Sequence, residues 1–203
     1  MDLEQHWNRI YTEKSAQGLS WYQQNPSVSL QLIQQCELSL DDYILDVGGG
    51  ASVLVDKLLA AGYRHLLVLD ISERALQFAQ QRLGTRATQV SWLHSDITGF
   101  IPSVPVELWH DRAVFHFLLQ ASEREAYIQV LNQTLKSGGY VIIAAFAIGG
   151  PTQCSGLDIV QYDAKTLMQQ FGDGYQLLDE HNEMHLTPNN TIQAFTYYRL
   201  LKR

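Results

Sequence analysis

Charge is scarce in this chain. It has 14 Lys+Arg and 21 Asp+Glu among 203 residues, so 17% are charged and the formal net charge is −7. That balance holds no basic footprint, and nucleic acid is not an expected partner. Cysteine is scarcer still. Cys36 and Cys154 cannot build a disulfide framework and form no Cys-x-x-Cys pair, which points to a reducing, cytoplasmic setting. The opening stretch MDLEQHWNRI has neither the basic nor the apolar region of an export signal. No apolar run reaches the ~18 residues that a membrane span needs. The longest, Tyr140–Ile148, has the length of a buried strand. Internal repeats and low-complexity linkers are also missing. Apolar residues are plentiful, at 46% hydrophobic, which is enough for a full core. The polar remainder is rich in glutamine pairs such as Gln23-Gln24 and Gln80-Gln81, which solvate helix surfaces.

Short β-rich runs alternate with helical stretches. Tyr43–Val47, Leu66–Leu69, Gln89–Leu93, Val104–Trp109 and Tyr140–Phe146 read as strands buried on both faces. Ser52–Ala61 closes at Gly62 and Glu73–Leu83 at Gly84, as helices do. Ser122 and Glu125 have capping-box spacing before a helix that runs to Ser137-Gly138-Gly139. This alternation predicts a parallel sheet with helices on both faces. Asp163 caps a short helix to Phe171, and Tyr175–Leu186 and Thr191–Leu200 flank a Pro188-Asn189-Asn190 turn. The expected architecture is α/β, one domain over residues 1–203. It has a doubly wound, seven-stranded, mostly parallel sheet with an antiparallel C-terminal hairpin, and residues 1–40 form an N-terminal helical cap.

The strongest site signal is Asp46-Val47-Gly48-Gly49-Gly50-Ala51-Ser52, where a strand runs into glycines and then a helix. Glycines let a ligand approach the backbone, and the helix offers unpaired N–H groups. Asp70 ends the next strand, 22 residues past Gly48, where a carboxylate can grip both hydroxyls of a ribose. A dinucleotide turn wants a glycine where Val53 stands, and a phosphate loop wants a Gly-Lys-Ser/Thr that is not there. Asp46 decides the ligand's charge: at the strand's carboxyl end it repels a pyrophosphate and attracts an ammonium. The ligand these residues suggest is S-adenosylmethionine (SAM).

With those residues in view, Asp46-Val-Gly-Gly-Gly-Ala-Ser resembles motif I of the class I SAM-dependent methyltransferases, acidic-x-Gly-x-Gly-x-Gly, with Ser52 in place of the last glycine. Leu69-Asp70-Ile71-Ser72 resembles the family's ribose-binding end of strand two. Ser95-Asp96-Ile97 resembles its adenine-edge motif, where an Asp side chain and the next backbone N–H read the base. The resemblance covers about residues 40–146. It implies a SAM-binding core over 41–146, with 147–203 as acceptor-side loop and hairpin. It also implies a cofactor set of Asp46, Gly48, Gly50, Asp70, Ile71, Asp96, Ile97, His110 and Tyr22.

Methyl transfer is an in-line displacement, so acceptor groups belong at the end of strand four, beside the sulfonium. There the chain reads Leu108-Trp109-His110-Asp111-Arg112-Ala113-Val114-Phe115-His116-Phe117-Leu118. It lacks the Asn/Asp-Pro-Pro-Tyr/Phe arrangement that holds the planar amine of a base or amide. The Asp-Arg-Ala segment resembles the thiopurine methyltransferase-like group. Methyltransferase-like lysine enzymes, with Asp/Glu-Lys-Gly there, are the second comparison. Both groups have N-terminal tryptophan segments, matched here by Trp7 and Trp21. Asp111, Arg112 and His116 are the catalytic candidates: Arg112 as a cationic fork for an acceptor and His116 as a base. The Asp111–Arg112 pair also reads as a local ion pair, and His116 as a packed ring. The long loop after strand five, with Cys154, is expected to shape the acceptor pocket. His181, Glu183 and His185 alternate on one strand, and no metal is assigned to them.

The function expected is methyl transfer from SAM to a small molecule on S, O or N. A protein lysine acceptor is the alternative, and a non-catalytic SAM-binding module is the reading from another class.

Overall fold

The five apolar runs pair as a parallel sheet because each strand offers one set of side chains to either face. The computed structural model describes residues 2–13 and 15–203. Met1 and Lys14, which the expected cap includes, lie outside the described residues. Helices α1 (Leu3–Glu13) and α2 (Ser27–Gln34) precede β1 (Tyr43–Val47). Then follow α3 (Leu54–Ala61), β2 (His65–Asp70), α4 (Glu73–Leu83), β3 (Val90–His94), β4 (Val106–Arg112), α5 (Ala121–Thr134) and β5 (Leu135–Phe146). The loop after β5 carries the two-residue strands β6 (Gln153–Cys154) and β7 (Leu157–Asp158). Helix α6 (Ala164–Phe171) and strands β8 (Tyr175–Leu186) and β9 (Ile192–Lys202) complete the chain.

The sheet order is β3-β2-β1-β4-β5-β9-β8. β1 to β5 run parallel, and β9 lies antiparallel to both β5 and β8. The expected hairpin is present, and its second strand, not its first, joins the sheet. Alternate residues serve opposite cores. Leu45, Leu67, Trp109 and Ile143 pack with Tyr127 and Leu131 of α5 and Phe171 of α6. Ile44, Val68, Leu108 and Ile142 pack with Leu32 of α2, Leu54 of α3 and Leu76 of α4. Burying such a side chain stabilises by roughly 1.5–3 kcal/mol, which is why these strands carry few polar residues.

Most boundaries lie within two residues of the sequence reading, and three features differ from it more. β4 runs to Arg112, so His110 and Asp111 are strand residues with fixed, opposite orientations. β5 begins at Leu135, directly after α5, and takes in the Ser137-Gly138-Gly139 stretch that had read as a helix end. The start of α5 is fixed by the Glu123 carboxylate, which accepts from the Gln120 backbone N–H at 2.9 Å, not by Ser122 and Glu125. Asp163 caps α6 as expected, its Oδ1 accepting from the Thr166 N–H at 2.7 Å. Among the described residues, no helix is long and apolar enough to cross a membrane.

Candidate active site

The carboxyl ends of β1, β2 and β4 meet at the glycine turn. Gly48 adopts φ +68°, and a Cβ there would lie 2.2 Å from Val114 Cγ2, so the turn admits no side chain. A Cβ on Gly50 would lie 2.6 Å from Asp70 Oδ2, and one on Gly49 2.2 Å from Asp46 Oδ2. The turn therefore wraps both carboxylates at contact distance. Ser52, where the family pattern has glycine, accepts from the Leu54 N–H at 3.0 Å and so supports the start of α3.

Two adjoining clefts open over this turn, enclosing about 970 and 550 Å3 with some open solvent included. The larger is bordered by Asp70, Ile71, Asp96, Ile97, Thr98 and Phe117. The smaller is bordered by Asp46, Gly49, His110, Ser29 and Tyr22. Gly48, Val47, Tyr11, Trp21 and Arg112 line both, so these residues mark the junction. Every residue of the expected cofactor set thus borders a cleft except Gly50, which acts from behind by donating its N–H to Asp70 Oδ2 at 3.0 Å.

Asp70 is buried, with Oδ1 accepting from the Ser72 N–H at 2.8 Å and Oδ2 from Gly50. Burial raises its pKa to about 6, the two N–H bonds pull against that rise, and the charge of Asp46 adds to it. Each oxygen keeps a second lone pair, the requirement for gripping two ribose hydroxyls. Asp96 holds its own loop: Oδ1 accepts from the Thr98 N–H at 2.8 Å and the Thr98 hydroxyl at 2.7 Å. Asp46 is 3% exposed. Its Oδ1 lies 2.7 Å from His110 Nδ1, whose Nε2 in turn lies 2.9 Å from Ser29 Oγ. Its Oδ2 is buried and makes no hydrogen bond within the protein. An acceptor oxygen of that kind needs a donor, and a cationic ligand group supplies one. A pyrophosphate would meet the charge of Asp46 and offer its Oδ2 no donor, so this carboxylate fits the ammonium of SAM and opposes a dinucleotide's phosphates.

The catalytic candidates separate. Arg112 sits at the junction. Its Nε donates to the Tyr197 hydroxyl at 2.7 Å and its Nη1 to the Trp21 carbonyl at 2.9 Å. Nη2 lies 3.5 Å from Glu183 Oε2 without a hydrogen bond, and the guanidinium carbon stands 4.3 Å over the Phe195 ring. Asp111 does not pair with Arg112. The two point to opposite faces of β4, and Asp111 accepts from the Tyr127 hydroxyl at 2.7 Å and the N–H groups of Val114 and Phe115 at 2.9 and 3.1 Å. It lines neither cleft, and burial raises its pKa to about 6. His116 is also outside both clefts, packed against Phe117 and Phe146 with neither ring nitrogen hydrogen-bonded. Burial, with the Arg112 charge second, lowers its pKa to about 3, so it stays neutral. Strand alternation explains the placement of Asp111, whereas His116 lies beyond β4 in the short helical turn Phe115–Phe117, which packs its ring into the core.

Trp7 and Trp21, matched in sequence to the family's N-terminal tryptophans, border the larger cleft, whereas the sequence reading assigns Asn8, Glu183 and His185 no part in the cofactor site. Asn8 of α1 accepts from the Ser72 hydroxyl at 2.8 Å, docking the cap beside Asp70. Trp7, Tyr11, Trp21 and Phe117 form an edge-to-face cluster over the junction, with ring centroids 5.2–6.5 Å apart. Glu183 accepts from Gln23 Nε2 at 2.8 Å and from the Tyr197 hydroxyl at 2.9 Å, and His185 Nε2 bonds the Ser20 carbonyl at 2.8 Å. Residues 20–23 therefore form a strap tied to β4 and β8. The alternation of Glu183 and His185 was visible in sequence, but their partners in the strap, Gln23 and Ser20, are more than a hundred residues away.

Against known proteins, residues 44–139 match the family model described as a methyltransferase domain. Together with the sheet order, the superposition below gives the chain the fold of the class I methyltransferases. The human "eEF1A lysine and N-terminal methyltransferase" is 24% identical over 153 residues, 75% of this chain. That match spans 21% of the relative's length, so this chain corresponds to about a fifth of it. Among solved structures, the N-methyltransferase NodS from Bradyrhizobium japonicum WM9, in complex with S-adenosylhomocysteine (SAH), superposes with TM-score 0.69 at 19% identity, covering 96% of this chain and 97% of that one. The 1,6-didemethyltoxoflavin-N1-methyltransferase from Burkholderia thailandensis superposes with TM-score 0.70 at 14% identity, covering 98% and 83%. Both share the fold of this chain. Among the described residues, no group of three or more His, Cys, Asp or Glu is placed to hold a metal ion.

Proposed function

We propose that this chain is a SAM-dependent methyltransferase whose acceptor is a small molecule enclosed beneath the aromatic strap. The observation that carries the cofactor is the buried pair of carboxylates around the glycine turn, Asp70 with two lone pairs to spare and Asp46 with an unpartnered Oδ2. When bound, SAM supplies an electrophilic methyl group on a sulfonium. Asp46 holds the ammonium, Asp70 the ribose, and Asp96 with the Ile97 backbone the adenine edge. The chain then aligns the acceptor and excludes water.

The acceptor assignment rests on closure. Trp21 is held by Arg112, and neighbouring cap residues by Glu183 and His185, so the aromatic wall is fixed over the junction and suits an acceptor small enough to fit under it. Arg112 is the one catalytic candidate that touches this space, and it serves acceptor placement. Neither Asp111 nor His116 is given a catalytic role.

Protein lysine methylation is the second reading, favoured by the similarity to the eEF1A enzyme. Incubation with methyl-labelled SAM separates the two. Label transferred to extracted small metabolites, and not to translation elongation factor or other lysate proteins, supports the first reading. Label confined to proteins overturns it in favour of the second. SAH binding with no transfer to either pool would make the chain a binding module.

A further inference from the structure

His110 lines the smaller cleft, yet both its ring nitrogens are already committed to protein groups. It sits opposite Asp46 in the parallel register of β1 and β4, so the two side chains share a face. A carboxylate only accepts, so the 2.7 Å contact places a proton on Nδ1. The far nitrogen meets the Ser29 hydroxyl at 2.9 Å, from the cap helix α2. All three residues are 3% exposed or less, so water does not compete for these bonds.

We infer that His110, steadied by Ser29, is a positioning residue that locks the Asp46 carboxylate so that its unpartnered oxygen receives the ammonium of the cofactor. The inference rests on the SAM reading above and goes beyond it, because it reassigns His110 from ligand contact to orientation. A free carboxylate turns about its own axis and presents either oxygen. Binding Oδ1 to His110 leaves Oδ2 against Gly49, where a Cβ would come within 2.2 Å of it. Gly49, the second glycine of the turn, thus leaves room beside the Asp46 oxygen that lacks a donor. Ser29 ties this arrangement to the N-terminal cap, so the helix covering the cleft and the group that selects the ammonium are one hydrogen-bonded unit.

The test uses two probes: SAH, and its deamino analogue with hydrogen in place of the α-amino group. Wild-type protein is expected to bind SAH at least about tenfold more tightly than the analogue, the size of one charge-assisted hydrogen bond. In H110N the side-chain amide nitrogen occupies the place of Nδ1, and that discrimination is expected to persist. In H110Q the nitrogen occupies the place of Nε2, Asp46 loses its donor, and discrimination is expected to fall below about threefold. S29A is expected to weaken discrimination without abolishing it, and thermal melts confirm which variants are folded. Equal discrimination in wild type, H110N and H110Q overturns the positioning role while leaving SAM binding intact. Wild-type protein that fails to bind SAH overturns the cofactor reading itself, and the positioning role with it.

Discussion

At the scale of single residues, the site is defined by how carboxylates are satisfied. Asp70 must be ionised to accept from ribose hydroxyls, and burial has raised its pKa to about 6. SAH affinity is therefore expected to be flat above pH 7 and to fall as the pH drops through about 6, by up to tenfold per unit where this proton alone controls binding. Isothermal titration across pH 5–8 checks this, and an affinity unchanged at pH 5 would contradict it. Folding responds with the opposite sign. A carboxyl whose folded pKa is raised contributes most below its ordinary range and loses that contribution as pH rises through about 6. The ligand-free protein therefore carries Asp70 and Asp111 as a burden at neutral pH. His116 is lowered to about 3, so its contribution is full above about 6.5 and is lost as the pH falls towards 3. H116F is expected to gain about 2 kcal/mol on the wild type at pH 5 relative to pH 8, measured by urea unfolding. No change in that difference would mean the ring is solvated. Gly49→Ala places a methyl group against Asp46 Oδ2 and is expected to lower SAH affinity at least about tenfold in a folded protein.

At the scale of elements, the strap depends on the hairpin. Ser20, Trp21 and Gln23 are held by His185, Arg112 and Glu183, so strands at the far end of the chain fix the cover of a cleft built by β1, β2 and β4. Removing the Glu183 carboxylate frees Gln23, leaves the Tyr197 hydroxyl without its acceptor and takes away the anion 3.5 Å from the largely buried Arg112 guanidinium. E183A is expected to cost on the order of 2 kcal/mol in stability. It is also expected to speed hydrogen exchange at amides 19–24 more than in the sheet, by mass spectrometry, and uniform acceleration would argue against a strap. This scale also shows how much of the fold was legible. β1, α4, α6 and the hairpin could be read because apolar runs, the Gly84 close, the Asp163 cap and the Pro188 turn are local signals. The end of β4 was not legible. His110, Asp111 and Arg112 are polar, and only pairing with β1 and β5 makes them strand. Asp46, Asp70 and Asp96 could be placed in the site because a strand-end carboxylate next to a glycine turn has one neighbourhood. Asp111 and His116 could not, because the direction each side chain takes, one from β4 and one from the turn after it, depends on Tyr127 and Phe146, remote in sequence.

At the scale of the whole molecule, a net charge of −7 combines a lightly charged surface with a buried acidic site. Asp46 and Asp70 lie within one glycine turn of each other, and the charge of one raises the pKa of the other. A cation bound between them relieves that repulsion, so the cofactor should stabilise the fold as well as serve the chemistry. At a free concentration of 100 times its dissociation constant, SAH is expected to add about 2.7 kcal/mol to stability. The most direct test of the central claim, a SAM site built on these two carboxylates, is titration of SAH and NAD in parallel into wild-type protein and D70A. The account predicts one SAH per chain, no NAD binding, and a loss of at least about tenfold in SAH affinity in folded D70A. Binding of NAD, or SAH affinity unchanged in D70A, would contradict it.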